Sequence, residues 1–186
     1  MSFMLLGILN SQAAGGGAGA YDLLETTTLA TSASSVTFTG LGSYSDYAHL
    51  QIRYVARNDY STYPDWTILQ FNSDTGANYK SHYIRGYGSI DAKVSSELRV
   101  GLTPGATSTA NAFGVGVIDI LDFGSTAKNT TTRTLSGLNI FNDPRIWLGG
   151  GLWVDTSAVT SITLDQSRAS NFLSGSRFSL YGIKGA

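Results

Sequence analysis

The sequence predicts an all-β protein: an antiparallel β-sandwich of jelly-roll type, preceded by an extended apolar N-terminal arm. Three observations lead there. From Tyr21 onward, short β-prone runs follow one another, and no segment sustains an apolar period of 3.6. The separators between runs carry turn chemistry. Glycine is abundant (22) and proline scarce (3), which suits a sheet protein with many tight turns rather than a disordered tract. A chain of 186 residues fits one domain, and 42% hydrophobic with 11% aromatic residues gives it enough apolar surface for one core.

The first element is the arm. Phe3, Met4, Leu5, Leu6, Ile8 and Leu9 form an apolar plug, and Gly15, Gly16, Gly17 and Gly19 make the tether behind it. Residues 1–20 are therefore read as a docking arm and tether, and residues 21–186 as the sandwich. A secretory signal is the rival reading, but no Lys or Arg precedes the apolar stretch. A membrane span is excluded because the stretch is about half of the ~20 apolar residues required. A third reading folds the plug back onto its own domain. Insertion into a neighbouring subunit is preferred, since the side chains must leave water and the tether is uncharged.

In the body, Val36 and Phe38 alternate with Thr37 and Thr39. Leu50, Ile52, Tyr54 and Ala56 alternate with His49, Gln51, Arg53 and Arg57, the pattern of a strand with one wet face. Further runs cover Trp66 to Phe71, Asn78 to Ile84, Leu98 to Leu102, Ala112 to Phe123, Thr131 to Ile140, Ile146 to Val154, Val159 to Leu164 and Arg177 to Ile183. These runs amount to about ten strands. Asn72-Ser73-Asp74-Thr75-Gly76, Gly86-Tyr87-Gly88-Ser89, Thr103-Pro104-Gly105, Asn142-Asp143-Pro144 and Ser174-Gly175 separate them. The spacing suits a sandwich or barrel and leaves strand order open.

Little catalytic chemistry is legible. Charged residues are 13% and the net charge is −1, which lacks the basic field that nucleic acid requires. No cysteine is present, removing thiolate catalysis and Cys-ligated zinc. His49 and His82 fall on the polar phases of their strands, and no G-x-S-x-G elbow accompanies them. The Asn72 loop resembles a calcium loop only faintly: Ala77 and Tyr83 stand where glycine and glutamate are needed, so a hairpin turn is expected. Asp119 shares its phase with Phe113, Val115, Val117, Leu121 and Phe123, whereas Asp122 falls with Ile118 and Ile120; one carboxylate is expected to be buried, and Asp119 to pair with an arginine or cap a bulge. Two opposite-facing carboxylates on one strand do not flank a single glycosidic bond. No cofactor or metal is expected. Tyr44, Tyr60, Tyr63 and Trp66, together with Tyr47, cluster in turn-rich segments, where exposed rings would stack on sugars or anchor a protein interface.

The arm from Met1 to Gly16, Tyr21-Asp22-Leu23-Leu24-Glu25-Thr26-Thr27, Ala48 to Arg53, Phe71 to Tyr79 and the ending Phe172 to Gly185 resemble small virion structural proteins of tailed bacteriophages. The likeness covers most of the chain and carries no catalytic motif. It implies a component of the phage particle rather than a particular location on it; a non-enzymatic subunit at the particle surface is the reading preferred. Capsid decoration (cement) protein is favoured over a tail or head fibre or spike, because no shaft or repeat is present. The expected partners are other phage structural proteins, such as the major capsid protein or tail proteins, with a homo-oligomer, trimer favoured, and neither nucleic acid nor membrane. The alternative is a fibre subunit with a carbohydrate-binding or host-recognition role centred on Tyr44, Tyr60, Tyr63 or Trp66. An enzyme that degrades host polysaccharide is disfavoured by the lack of a carboxylate pair.

Overall fold

The computed structural model describes residues 20–61, 64–140 and 143–185. Twelve strands are named along it: β1 (Tyr21–Thr28), β2 (Ser35–Phe38), β3 (His49–Ala56), β4 (Asp65–Phe71), β5 (Tyr79–Tyr87), β6 (Ser89–Ser95), β7 (Arg99–Thr103), β8 (Gly114–Leu121), β9 (Thr130–Ile140), β10 (Asp143–Trp153), β11 (Ile162–Gln166) and β12 (Arg177–Ile183). Helical structure among the described residues is a single 3-10 turn at Leu41–Tyr44. The expected arm lies outside the described residues. The ten expected runs all contain strands; β1 and β6 are additional.

The strands form two antiparallel sheets. One has eight strands in the order β1-β12-β3-β8-β9-β10-β5-β6, and the other has four in the order β2-β11-β4-β7. Pairing is nested: β1 with β12, β2 with β11, β3 with β8 and β4 with β7. Two hairpins, β5–β6 and β9–β10, lie between members of this series and widen only the first sheet. The Asn72 turn is a correction to the expected hairpin. Asn72 and Ser73 both take positive φ and Asp74 N–H donates to Phe71 O (2.8 Å), but the turn carries the chain from one sheet to the other.

The inward phases of the strands meet in the main core. Phe38, Ile52, Tyr54, Phe71, Ile118, Ile120, Trp153, Leu164, Phe172 and Phe178 are buried there. Burying each such side chain contributes roughly 1.5–3 kcal/mol. A second cluster gathers Trp66, Tyr83, Leu102, Leu138, Ile140 and Trp147 where the wide sheet extends past β7. Gly101 is required between the sheets: its φ is +148°, and a Cβ there would overlap the Tyr54 hydroxyl.

Arg57, read from the alternation as wet, is buried. The strand ends at Ala56, so the residue no longer follows the pleat. Its guanidinium donates to the carbonyls of Thr109 (2.7 Å), Ala112 (2.9 Å), Ser108 (3.0 Å) and Ala106 (3.3 Å), fixing the loop before β8. Gln51 is likewise buried, on the outer side of β3.

Candidate functional site

The aromatic residues expected at an exposed site are dispersed. Trp66 is only 9% exposed, packed with tilted rings against Trp147 (ring centroids 4.7 Å) and Tyr83 (5.7 Å), with the Arg99 guanidinium 5.0 Å from its ring. It is a core residue, which corrects the reading as an exposed ring. Its neighbours cover it because β4 lies beneath the overhang of the wide sheet. Tyr44 is half-buried against the main core. Tyr60 is half-buried, with the Arg168 guanidinium 5.0 Å from its ring. Tyr63 lies outside the described residues, as do Phe3, Met4, Leu5, Leu6, Ile8 and Leu9.

Asp119 meets the expected arginine. The phase containing Val115, Val117, Asp119 and Leu121 faces away from the core, while Ile118 and Ile120 face into it. Asp119 is buried within that outer face because Gln51 Nε2 (2.7 Å), Arg133 Nη2 (2.7 Å) and Arg133 Nε (2.9 Å) all donate to it. Gln51 Oε1 accepts from Arg53 Nε (2.7 Å), and the Arg53 guanidinium lies 4.6 Å from the Tyr181 ring and 5.2 Å from that of Tyr21. The carboxylate is engaged by three donors, which is the chemistry of an anchored ion pair rather than of a proton carrier.

The histidines are separate. His82 is exposed on β5. His49 is half-buried, and its Nδ1 accepts the Asp122 backbone N–H (2.9 Å) and lies 3.3 Å from the Asp122 carboxylate. Asp122 also pairs with Lys128, which is the first reason its carboxyl is held below the usual range. At the Asn72 turn, Asp74 accepts from Trp153 Nε1 (2.7 Å), Gly76 N–H (2.8 Å) and Asn78 Nδ2 (2.9 Å), and these bonds lower its pKa, the indole contributing most. A turn staple, not an ion cage, results. Among the described residues no group of three or more His, Cys, Asp or Glu side chains is placed to hold a metal ion.

What stands out instead is apolar surface. On the outer face of the wide sheet, Val115, Leu135, Ile146, Leu148, Ile84, Ile90 and Val94 are exposed. The register joins them: Leu135 lies opposite Leu148, Leu148 opposite Ile84, and Ile84 opposite Ala92. Val55, Val115, Val117, Leu135, Gly137 and Ile146 are among the residues that line an apolar depression of about 420 Å³. The reading of the sequence missed this face. A signal existed in Ile146-Trp147-Leu148, where consecutive large apolar residues require both faces of one strand to be apolar.

Comparison of the chain with protein-family models, with curated proteins and with solved structures finds no match.

Proposed function

We propose that this chain is a non-enzymatic structural protein of a bacteriophage particle, a capsid decoration (cement) subunit that docks through its N-terminal arm and displays the sandwich outward as a homo-oligomer. The uncovered apolar face of the wide sheet carries the reading. A contiguous apolar patch serves contact with other protein, whereas a catalytic protein invests in a cleft with converging polar groups. The bacteriophage assignment comes from the resemblance of the arm, of Tyr21 to Thr27 and of the ending Phe172 to Gly185. The nested pairing supports a jelly roll: β1-β12-β3-β8 would be one four-stranded sheet and β2-β11-β4-β7 the other, with β5–β6 and β9–β10 as insertions. That architecture recurs in capsid proteins and lectins.

The docking element in this reading is Phe3, Met4, Leu5, Leu6, Ile8 and Leu9. Leu5→Asp combined with Leu6→Asp would place carboxylates in an apolar groove at a cost of several kcal/mol. The test adds purified full-length protein to phage particles that lack it and counts bound copies. The double variant is expected to lose incorporation while its circular dichroism is unchanged, and Asp46→Ala to bind normally. Normal occupancy by the double variant would sink the docking arm. Copies found on the tail instead of the head would move the assignment to a fibre or spike subunit. A glycan-binding version of that alternative is weakened by the burial of Trp66.

A further inference from the structure

We infer that the outer face of β9-β10-β5-β6 is the seat of a second copy of this chain, the two related by a two-fold axis running along the strands between β10 and β5. The inference rests on the reading of this face as a contact surface and names its occupant.

The first observation is the polarity of β6. Its apolar residues Ile90, Ala92 and Val94 point outward, and Ile90 and Val94 are each 80% exposed. The inward phase holds Asp91 and Lys93, with Asp91 bound to Arg85 (2.7 Å). An edge strand that served only its own core would place its apolar phase inward. This one is amphipathic toward something outside the molecule.

The second observation is the order of large and small residues. Three rows cross the four strands: Gly137, Ile146, Gly86 and Ile90; Leu135, Leu148, Ile84 and Ala92; Arg133, Gly150, His82 and Val94. A two-fold axis along the strands keeps each row facing itself and reverses its order. Ile90 of one copy then faces Gly137 of the other, Ile146 faces Gly86, Ala92 faces Leu135 and His82 faces Gly150. Ile90 against Gly137, Leu135 against Ala92 and His82 against Gly150 each set a large residue against a small one, while the space over Gly86 is already taken by the chain's own Ile146; a self-complementary patch is what a two-fold interface requires. The hole is real at Gly137, where the nearest heavy atom to an added Cβ would be 3.7 Å away and the depression of about 420 Å³ opens. Leu148 meets Ile84 beside the axis, and the Arg133 stem lies over Val94, its guanidinium already neutralised by Asp119.

With strands about 4.8 Å apart and alternate residues about 6.7 Å apart, the four strands and three rows that meet have a footprint on the order of 400 Å² per copy. Two copies bury on the order of 800 Å² before rim side chains are added, the size of a weak, reversible pair. Sheets packed face to face sit about 10 Å apart, which these interdigitating side chains fill. A net charge of −1 leaves little repulsion between copies.

The test is sedimentation equilibrium of the full-length chain across the micromolar range, with folding checked by circular dichroism. The wild type is expected to form a dimer. Ile90→Asp and Gly137→Val should each weaken pairing at least tenfold without unfolding the chain, because Ile90 is exposed and Gly137 has room for a side chain. Ile90→Ala combined with Gly137→Val should regain pairing, since knob and hole have exchanged strands. A monomeric or trimeric wild type overturns the inference, as does pairing indifferent to both single variants. Pairing abolished by Leu5→Asp with Leu6→Asp also overturns it, because the arm would then be the adhesive. Uptake by particles is scored separately: a variant that pairs but fails to bind particles counts against the docking arm and leaves the dimer standing.

Discussion

Replacing Arg57 by alanine tests how the loop before β8 is held. The guanidinium is buried and donates to four backbone carbonyls, of which the Thr109 and Ala112 bonds are shortest at 2.7 and 2.9 Å. Hydrogen bonds from charged donors contribute about 1.5–3 kcal/mol each. The freed carbonyls of a surface loop can be rehydrated and the four bonds are not additive, so the expected loss is about 3 kcal/mol. For a chain of this size that lowers the melting temperature by roughly 6–12 °C. Arg57→Lys should fall between, because an ammonium is a point donor and cannot span four acceptors as the planar fork does. Thermal melts give the magnitude, and limited proteolysis should show new cleavage among residues 105–112 in Arg57→Ala. A melt within about 2 °C of wild type, with no new cleavage, would refute the argument and make the loop self-supporting.

Two further outcomes are expected. Asp119→Ala should cost about 1–2 kcal/mol, because it strands Gln51 Nε2. That is less than the 3–5 kcal/mol for breaking a fully buried pair, since the Arg133 side chain is 72% exposed and rehydrates. Chemical denaturation measures it, and a loss above about 4 kcal/mol would mean that Arg133 is far less solvated than its exposure implies. The carboxyls of Asp74, Asp91 and Asp122 are held below their ordinary values, chiefly by bonds from Trp153, Arg85 and Lys128 respectively. Groups depressed on folding contribute stability above the unfolded carboxylate pKa of about 3.9, and that contribution is lost as pH falls through the lower folded value. Asp74→Asn should therefore flatten part of the acid limb of a stability-versus-pH curve; an unchanged limb would show that the Trp153 bond contributes nothing.

The fold class was legible because it depends on period-two alternation and turn chemistry, which are local. Val36 with Phe38, and Leu50 with Ile52 and Tyr54, announced their buried faces, and all five are in the core. The misreadings arose where a residue's setting depends on another strand. Arg57 looked solvent-facing until the carbonyls of residues 106–112 converged on it. Trp66 sits in a turn-rich stretch and is covered by Tyr83 and Trp147, which come from β5 and β10. On β8 both phases are apolar, Val115, Val117 and Leu121 on one and Ile118 and Ile120 on the other, and apolarity alone does not say which side of the sheet is covered. β6 went unread although Ile90, Ala92 and Val94 alternate with Asp91 and Lys93, because the glycines flanking Tyr87 suggested a loop.

The location of the apolar surface has a physical reason in how the two sheets differ. In the strands of the nested series, the outer face of β3 and β12 carries the polar Gln51, Arg53, Arg177 and Ser179, with Val55 and Tyr181 among them. In the other half of the sheet, exposed aliphatic positions run from Val115 on β8 through β9, β10, β5 and β6. Four of those five strands belong to the inserted hairpins. The opposite sheet ends at β7, so the inward side of the overhang has to be covered by Trp66, Trp147 and Tyr83, and by β6 that cover has run out. There the inward side becomes polar, with Arg85 bound to Asp91, while the outward side stays apolar. A hairpin added merely to enlarge the core would show the reverse polarity at its edge. The insertions therefore build a surface rather than an interior, and the contacts that surface makes should respond to changes in β6 and β9 while the nested strands go on folding without it.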